Sequence, residues 1–179
     1  MDSTTIVAIY KTHTDAEQAV RDLQHGGFDM KKLSIVGKDY QTNEHVAGFY
    51  NTGDRVKYWG KFGAFWGGLW GLLFGAAFLF VPALGPVVVA GPLVASIIAG
   101  LEGAVTVGGL SAIGAALFSI GIPKDSVVRY EVALKANQFL LIAHATADEV
   151  TKAREILRNS SAAEVNVHPS AQPETAAAM

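Results

Sequence analysis

From Phe62 to Leu101 the chain carries no Asp, Glu, Lys or Arg, and after Glu102 none until Lys124. Every other charged residue lies outside that interval. Within it Gly63, Gly67, Gly71 and Gly75 recur every four residues, and so do Phe62, Trp66, Trp70, Phe74 and Phe78. Glycine in a water-exposed helix costs ~1 kcal/mol relative to alanine, so repetition at helical spacing implies a use. Spacing by four places the glycines on one slowly winding ridge. In lipid such a ridge lets a second helix approach closely, and van der Waals packing replaces the missing hydrophobic drive. Phe62 to Val81 would run about 30 Å as a helix, which matches a hydrocarbon core.

A partner ridge follows. Ser96, Gly100, Ala104, Gly108, Ala112 and Ala116 are all small and all four apart. The pattern predicts a second helix over 93–120, after a Pro- and Gly-rich turn region "PALGPVVVAGP" at 82–92. A rival parse gives three segments, 62–81, 87–101 and 104–120. Arg55, Lys57 and Lys61 precede the segment, and Lys124, Arg129 and Lys135 follow it. Two basic flanks predict an even number of crossings with both ends cytoplasmic. Tyr58 and Trp59 suit the membrane interface, and the three preceding cations suit anionic headgroups. The expected location is a bacterial inner membrane, entered by the internal segment, since the N-terminal stretch lacks the pattern of a signal peptide.

Outside the insertion the grammar changes. "TTIVAIYKTHTDAEQAVRDLQHGGFDMKKLSIVGKD" reads strand, helix, strand, with Thr14 and Glu17 as a capping box and Ala16, Ala19, Val20 and Leu23 as the buried face. "QFLLIAHA" (138–145), a helix opened by Thr146 and Glu149, and "AEVNVH" (163–168) repeat the order. "PKDSVVRYEVALKAN" (123–137) is read as an additional helix. Each half is too small to bury a core alone. Together they predict an α+β class: a ferredoxin-like antiparallel sheet, helices on one face only, split by an inserted glycine-zipper transmembrane helical hairpin. The division is 1–58 (first half and juxtamembrane linker), 59–121 (hairpin), 122–169 (second half) and 170–179 (a tail without pattern).

This order, with Gly121-Ile122-Pro123, Tyr130-Glu131, Leu134 and the Gly85-Pro86 turn, resembles bacterial general stress proteins of the heat-induced stress protein type over roughly residues 5–160. The resemblance implies a small domain with a glycine-zipper insertion and supplies no catalytic motif. A similar layout occurs in a small subunit of the alternative complex III quinol oxidoreductase.

Chemistry is sparse. With a net charge of −2 there is no nucleic-acid signature. The absence of cysteine removes thiol catalysis. His13, His25, His45, His144 and His168 lack metal-ligand spacing, His144 reads as a structural or surface residue, and no cofactor motif is present. Ser111 and Ser119 have no base in any pattern. Glu102 stands out, because a carboxylate mid-helix in lipid costs about 2.5–3.5 kcal/mol on insertion scales and should face protein or water. Thr106 and Ser96 are its candidate hydrogen-bond partners. The sequence thus points to a non-enzymatic, stress-related membrane protein, partnered by the lipid bilayer and self-associating through Gly63, Gly67, Gly71, Gly75, Gly100, Ala104, Gly108 and Ala112. The alternatives are a subunit of a membrane transport or respiratory complex using Glu102, and a soluble oligomer with the hairpin as its buried core.

Overall fold

The computed structural model of the chain describes residues 3–38, 76–102 and 110–169. Apolar, often β-branched runs fit a pleated surface packed on both sides. They make β1 (Ser3–Tyr10), β2 (Leu33–Lys38), β3 (Ala76–Val81), β4 (Gly85–Ala90), β5 (Phe139–Thr146) and β6 (Glu164–Pro169). The helices are α1 (His13–His25), α2 (Leu93–Glu102), α3 (Ala112–Ser119), α4 (Lys124–Lys135) and α5 (Ala147–Arg158). All strand pairs are antiparallel, in the order β3-β4-β2-β5-β1-β6. Without β3 and β4, the order β2-β5-β1-β6 is that of a ferredoxin-like sheet. The two halves do meet: β1 pairs with β5 from Ser3↔Thr146 to Tyr10↔Phe139. The insertion does fall between the second and third strands of that sheet.

Its content differs from the expected helical hairpin. Residues 76–81, read as the end of a first helix, are strand β3, and 85–90, read as turn, are strand β4. The break between them is a tight turn in which the Leu84 N–H donates to the Val81 carbonyl at 3.1 Å. Pro82 sits at the turn position its fixed φ favours, and Ala83 takes the positive φ (72°) of a type II turn. Val87, Val88 and Val89 then resist helix and favour strand. Pairing of β4 with β2 (Ile35↔Ala90 to Lys38↔Val87) adds the hairpin to the sheet. The stretch 93–120, expected as a single helix, holds two helices, α2 and α3, with residues 110–111 outside both; the third segment of the rival parse, 104–120, contains that non-helical pair and is not one helix either. Ser111 starts α3 by accepting the Gly114 N–H at 3.2 Å. Among the described residues no helix is long and apolar enough to cross a membrane.

Both faces of the sheet are covered, against the expectation of one. On one face α1 and α5 bury Ala16, Ala19, Val20, Leu23, Ala153 and Leu157 over Ile6, Ala8, Leu33, Ile35, Leu141 and Ala143. On the other, α2, α3 and α4 bury Leu93, Ile97, Ile113, Leu117, Tyr130 and Leu134 over Val7, Val36, Val87, Val89, Leu140 and Ile142. Helix α4, expected as an addition, closes this second layer.

Two caps fix the helices of the first face. The cap of α1 lies two residues earlier than Thr14 and Glu17: Thr12 Oγ1 accepts the Asp15 N–H at 3.2 Å and donates to Asp15 Oδ2 at 2.6 Å. The cap of α5 is the expected pair, with Glu149 Oε2 accepting the Thr146 N–H at 3.0 Å. Lys32 reaches the same carboxylate at 2.9 Å. The Thr146 backbone N–H, and then Lys32, hold the Glu149 carboxyl below its usual range.

Candidate functional site

Of the expected packing residues, the structure brings together Gly100 on α2 and Ala112 on α3. A Cβ built at Gly100 would stand 3.2 Å from the Ala112 carbonyl oxygen and 3.7 Å from its Cα. Both residues belong to the same expected ridge, so this approach is not the docking of one ridge on the other, which lies outside the described residues. Gly63, Gly67, Gly71, Gly75, Ala104 and Gly108 lie outside the described residues, as do Tyr58, Trp59, Arg55, Lys57 and Lys61. Glu102 is the last residue of α2, and its side chain is likewise outside the described part. Thr106, its candidate partner, is outside too, and Ser96 is half-buried on α2.

Polar chemistry gathers instead on the α4 side of the sheet. Register alone puts three residues in a row: His144 opposite Thr5 on one side, His168 opposite Thr5 on the other. Thr5 Oγ1 and His144 Nδ1 stand 3.4 Å apart. The Tyr130 hydroxyl lies 2.6 Å from His168 Nε2, with the two rings edge to face. Thr5 and Tyr130 are buried and His168 is nearly so, at 9% exposed. At the rim Arg129 Nη1 donates to Glu164 Oε1 at 2.6 Å, and the Asn166 amide donates to the same oxygen at 2.7 Å. The Asn166 amide, followed by Arg129, holds Glu164 below the usual carboxylate range.

Burial raises the pKa of Tyr130, with the Asn166 side chain pulling the other way. Burial lowers that of His144, and burial followed by the Arg129 charge lowers that of His168. Neutral imidazoles suit this row: His168 can accept from the Tyr130 hydroxyl or share its proton. The row can tie β6 to α4, and it can respond to acid. A histidine depressed below 6.5 in the native state holds fewer protons there than when unfolded. Its stabilisation is complete above the unfolded value and is lost as pH falls through the native one. Urea midpoints should therefore drop as pH falls from 7 into the range below 6.5, while Glu149 and Glu164, depressed below 4.5, act only at lower pH. His168→Gln should flatten the profile in the upper window. An unchanged slope there would show that His168 does not carry it.

A second cluster joins α3 to α4. Ser111 donates both its N–H (2.9 Å) and its hydroxyl to Glu131 Oε1. With the hydroxyl also accepting from Gly114, Ser111 is a helix cap and not a nucleophile. A Cβ at Gly114 would press on the Glu131 carboxylate, which would have to shift from its place beside Ser111. Glu131→Ala should cost about 1–2 kcal/mol by stranding both donors, and Glu131→Gln, which keeps an acceptor, clearly less. Equal urea midpoints for the two variants would contradict the cap.

Neither cluster was readable as a site from the sequence, because Thr5, Tyr130 and His168 come from three distant segments. The only signal was the Tyr130-Glu131 pair, which carries part of the family resemblance; one of its residues enters each cluster. Among the described residues no group of three or more His, Asp or Glu could hold a metal ion.

Comparison with curated proteins and with solved structures returns no match. The comparison with protein families matches residues 5–78, from β1 through the first residues of β3. The family so matched is the heat induced stress protein YflT domain, the general stress protein family that the sequence resembles.

Proposed function

We propose that this chain is a stress-related, non-catalytic protein that acts by self-association, with its uncharged insertion built into the body of the fold. The stress-related part rests on the YflT domain match over residues 5–78. The observation that carries the rest is the make-up of the layer formed by α2, α3 and α4. Its helices pack on the sheet with one face and keep large apolar side chains in solvent with the other. Ile98 on α2 is 37% exposed, Phe118 on α3 46%, and Val128 and Val132 on α4 47% and 59%. Apolar side chains grouped on one layer mark an interaction surface more than scattered single ones do. The polar clusters offer hydrogen bonds that are already satisfied within the protein, which favours a binding or assembly role over catalysis.

A second reading, attachment to a membrane, is favoured by the uncharged run from Phe62 to Leu101. Under that reading Glu102 is the residue on which transport would depend, and Glu102→Gln should abolish a pH-dependent activity while leaving assembly intact. One experiment separates the two. Purified full-length chain is sized by light scattering and, in parallel, floated with vesicles of mixed zwitterionic and anionic lipid. Oligomers that stay at the bottom of the gradient support self-association in water. A monomer that floats with vesicles overturns it in favour of the membrane.

A further inference from the structure

Strand β6 lies at an edge of the sheet and pairs with β1 alone among the described residues. Its apolar side chains, Val165 and Val167, are half-buried beside the core under α1 and α5. The core under α2, α3 and α4 takes no apolar residue from β6. On that side the strand is held by polar contacts: Tyr130 on His168 at 2.6 Å, and Arg129 on Glu164 at 2.6 Å. Releasing β6 therefore uncovers two half-buried valines and opens one ladder, and leaves β2, β5 and β1 paired.

The site of the His168 ring has no place for a proton. A neutral imidazole can accept the Tyr130 hydroxyl proton at Nε2, whereas an imidazolium carries N–H on both nitrogens and cannot. From α4 the nearby charge is Arg129, of like sign, and the carboxylate next to Tyr130, Glu131, is turned to Ser111. From β1 the ring meets Thr5, which is uncharged and 1% exposed, with His144 of β5 beyond it. On β6 itself Glu164 is already taken by Arg129 and Asn166. An imidazolium at 9% exposure, with no free carboxylate among these groups, is costly. The strand that carries it is also one that the core can lose.

We propose that His168 is an acid-operated latch: when its ring takes a proton, β6 leaves β1 and α4 while the other strands stay folded. The direction follows from linkage. Burial, then the Arg129 charge, holds His168 below its ordinary 6.5 in the closed state. The open state binds the proton better, so opening rises as pH falls through 6.5. The β1 groups bonded to β6 between Thr4 and Ile9 then face solvent. The latch involves one chain only and does not depend on the self-association reading.

Amide hydrogen exchange of the full-length protein, corrected for the intrinsic effect of pH, tests the latch. Between pH 7.5 and 5.5 one proton should raise the opening of β6 about fivefold. At pH 5.5 the β6 amides should be at least tenfold less protected than those of β5. Low urea should speed β5 and leave β6 unchanged, because a local opening exposes little surface. His168→Gln keeps an acceptor for Tyr130 and cannot titrate, so the pH response of β6 should vanish. His144→Gln should leave that response intact. Equal protection and equal urea dependence of β6 and β5 would mean that β6 leaves only when the whole protein unfolds, which overturns the latch. A β6 that opens alone but no more at pH 5.5 than at 7.5 overturns the acid trigger, and a response that survives His168→Gln or is lost with His144→Gln overturns the assignment to His168. If His168→Gln fails to fold, Tyr130→Phe decides. Without the hydroxyl the closed state favours the neutral ring less, so β6 should open more at pH 7.5 and respond less to acid, and an unchanged profile would overturn the Tyr130–His168 contact as the catch.

Discussion

Gly91→Ala should destabilise the protein by about 3 kcal/mol or more, the largest effect expected of any single methyl in this chain. Gly91 is buried between the end of β4 and the start of α2, with φ at +92°. That conformation alone costs a side-chain-bearing residue roughly 1–2 kcal/mol. The added Cβ would also stand 2.8 Å from Ser34 Cα and 3.0 Å from the Leu33 carbonyl carbon, and closer still to that carbonyl oxygen. These are backbone atoms of a strand paired on both sides by β4 and β5, so they cannot step back. The same corner is tied by the buried Ser34 hydroxyl, which accepts the Leu93 N–H at 3.1 Å and so holds the first residue of α2 against β2. Gly85→Ala is the control. Its φ is +86° and nothing lies within 4 Å of a Cβ there, so it should show the conformational cost alone. Urea denaturation of the two variants measures the difference. Equal midpoints would mean that the close approach to β2 contributes nothing.

Much of this architecture is legible in the residues, for reasons that can be named. Both β-α-β halves follow from short apolar runs bounded by caps and glycines, and Thr146 with Glu149 marks the start of α5 because that cap is local. The insertion is located by its loss of charge. Its content is misread because the period of four in glycine and aromatic residues runs on to Phe78, across the start of β3. The contrary signal was three consecutive valines, Val87 to Val89, which fit a strand better than a turn. A second signal lay in plain view. Ile6 to Tyr10 and Phe139 to Ala143 are unbroken apolar runs, whereas a sheet with one wet face alternates. Continuous runs mean burial on both faces, hence a second helical layer, and the uncharged stretch after β4 is the segment able to supply it. The clusters around Tyr130 and Glu131 were beyond reach for another reason. Ser111 and Glu131 meet between two helices, and Tyr130 and His168 between a helix and an edge strand. No local spacing encodes either meeting.

Gly37 and Phe139 should couple strongly, and their coupling tests how β2 carries the insertion. Gly37 lies one residue before the end of β2 and pairs with Val88 of β4. The Phe139 ring of β5 lies over it, so that a Cβ at position 37 would come 2.5 Å from Phe139 Cε1. Phe139 is itself 1% exposed, in the core under α1, and His13 meets it edge to face. A buried ring hemmed in on that side has no free direction, so Gly37→Ala should cost about 2–3 kcal/mol by overpacking, despite the better strand propensity of alanine. Phe139→Leu shortens the side chain and should cost about 1 kcal/mol alone. In the double variant the leucine makes room for the new methyl. Its loss should fall below the sum of the single losses by about 1 kcal/mol or more, outside the error of additive sites. Additive losses would mean that the ring does not rest on Gly37. A coupled result places the requirement for glycine where β2 holds both the original sheet, through β5, and the added hairpin, through β4. Loosening β2 there should expose β4 to hydrogen exchange before β1, because β1 is held by β5 and β6 and does not depend on the insertion.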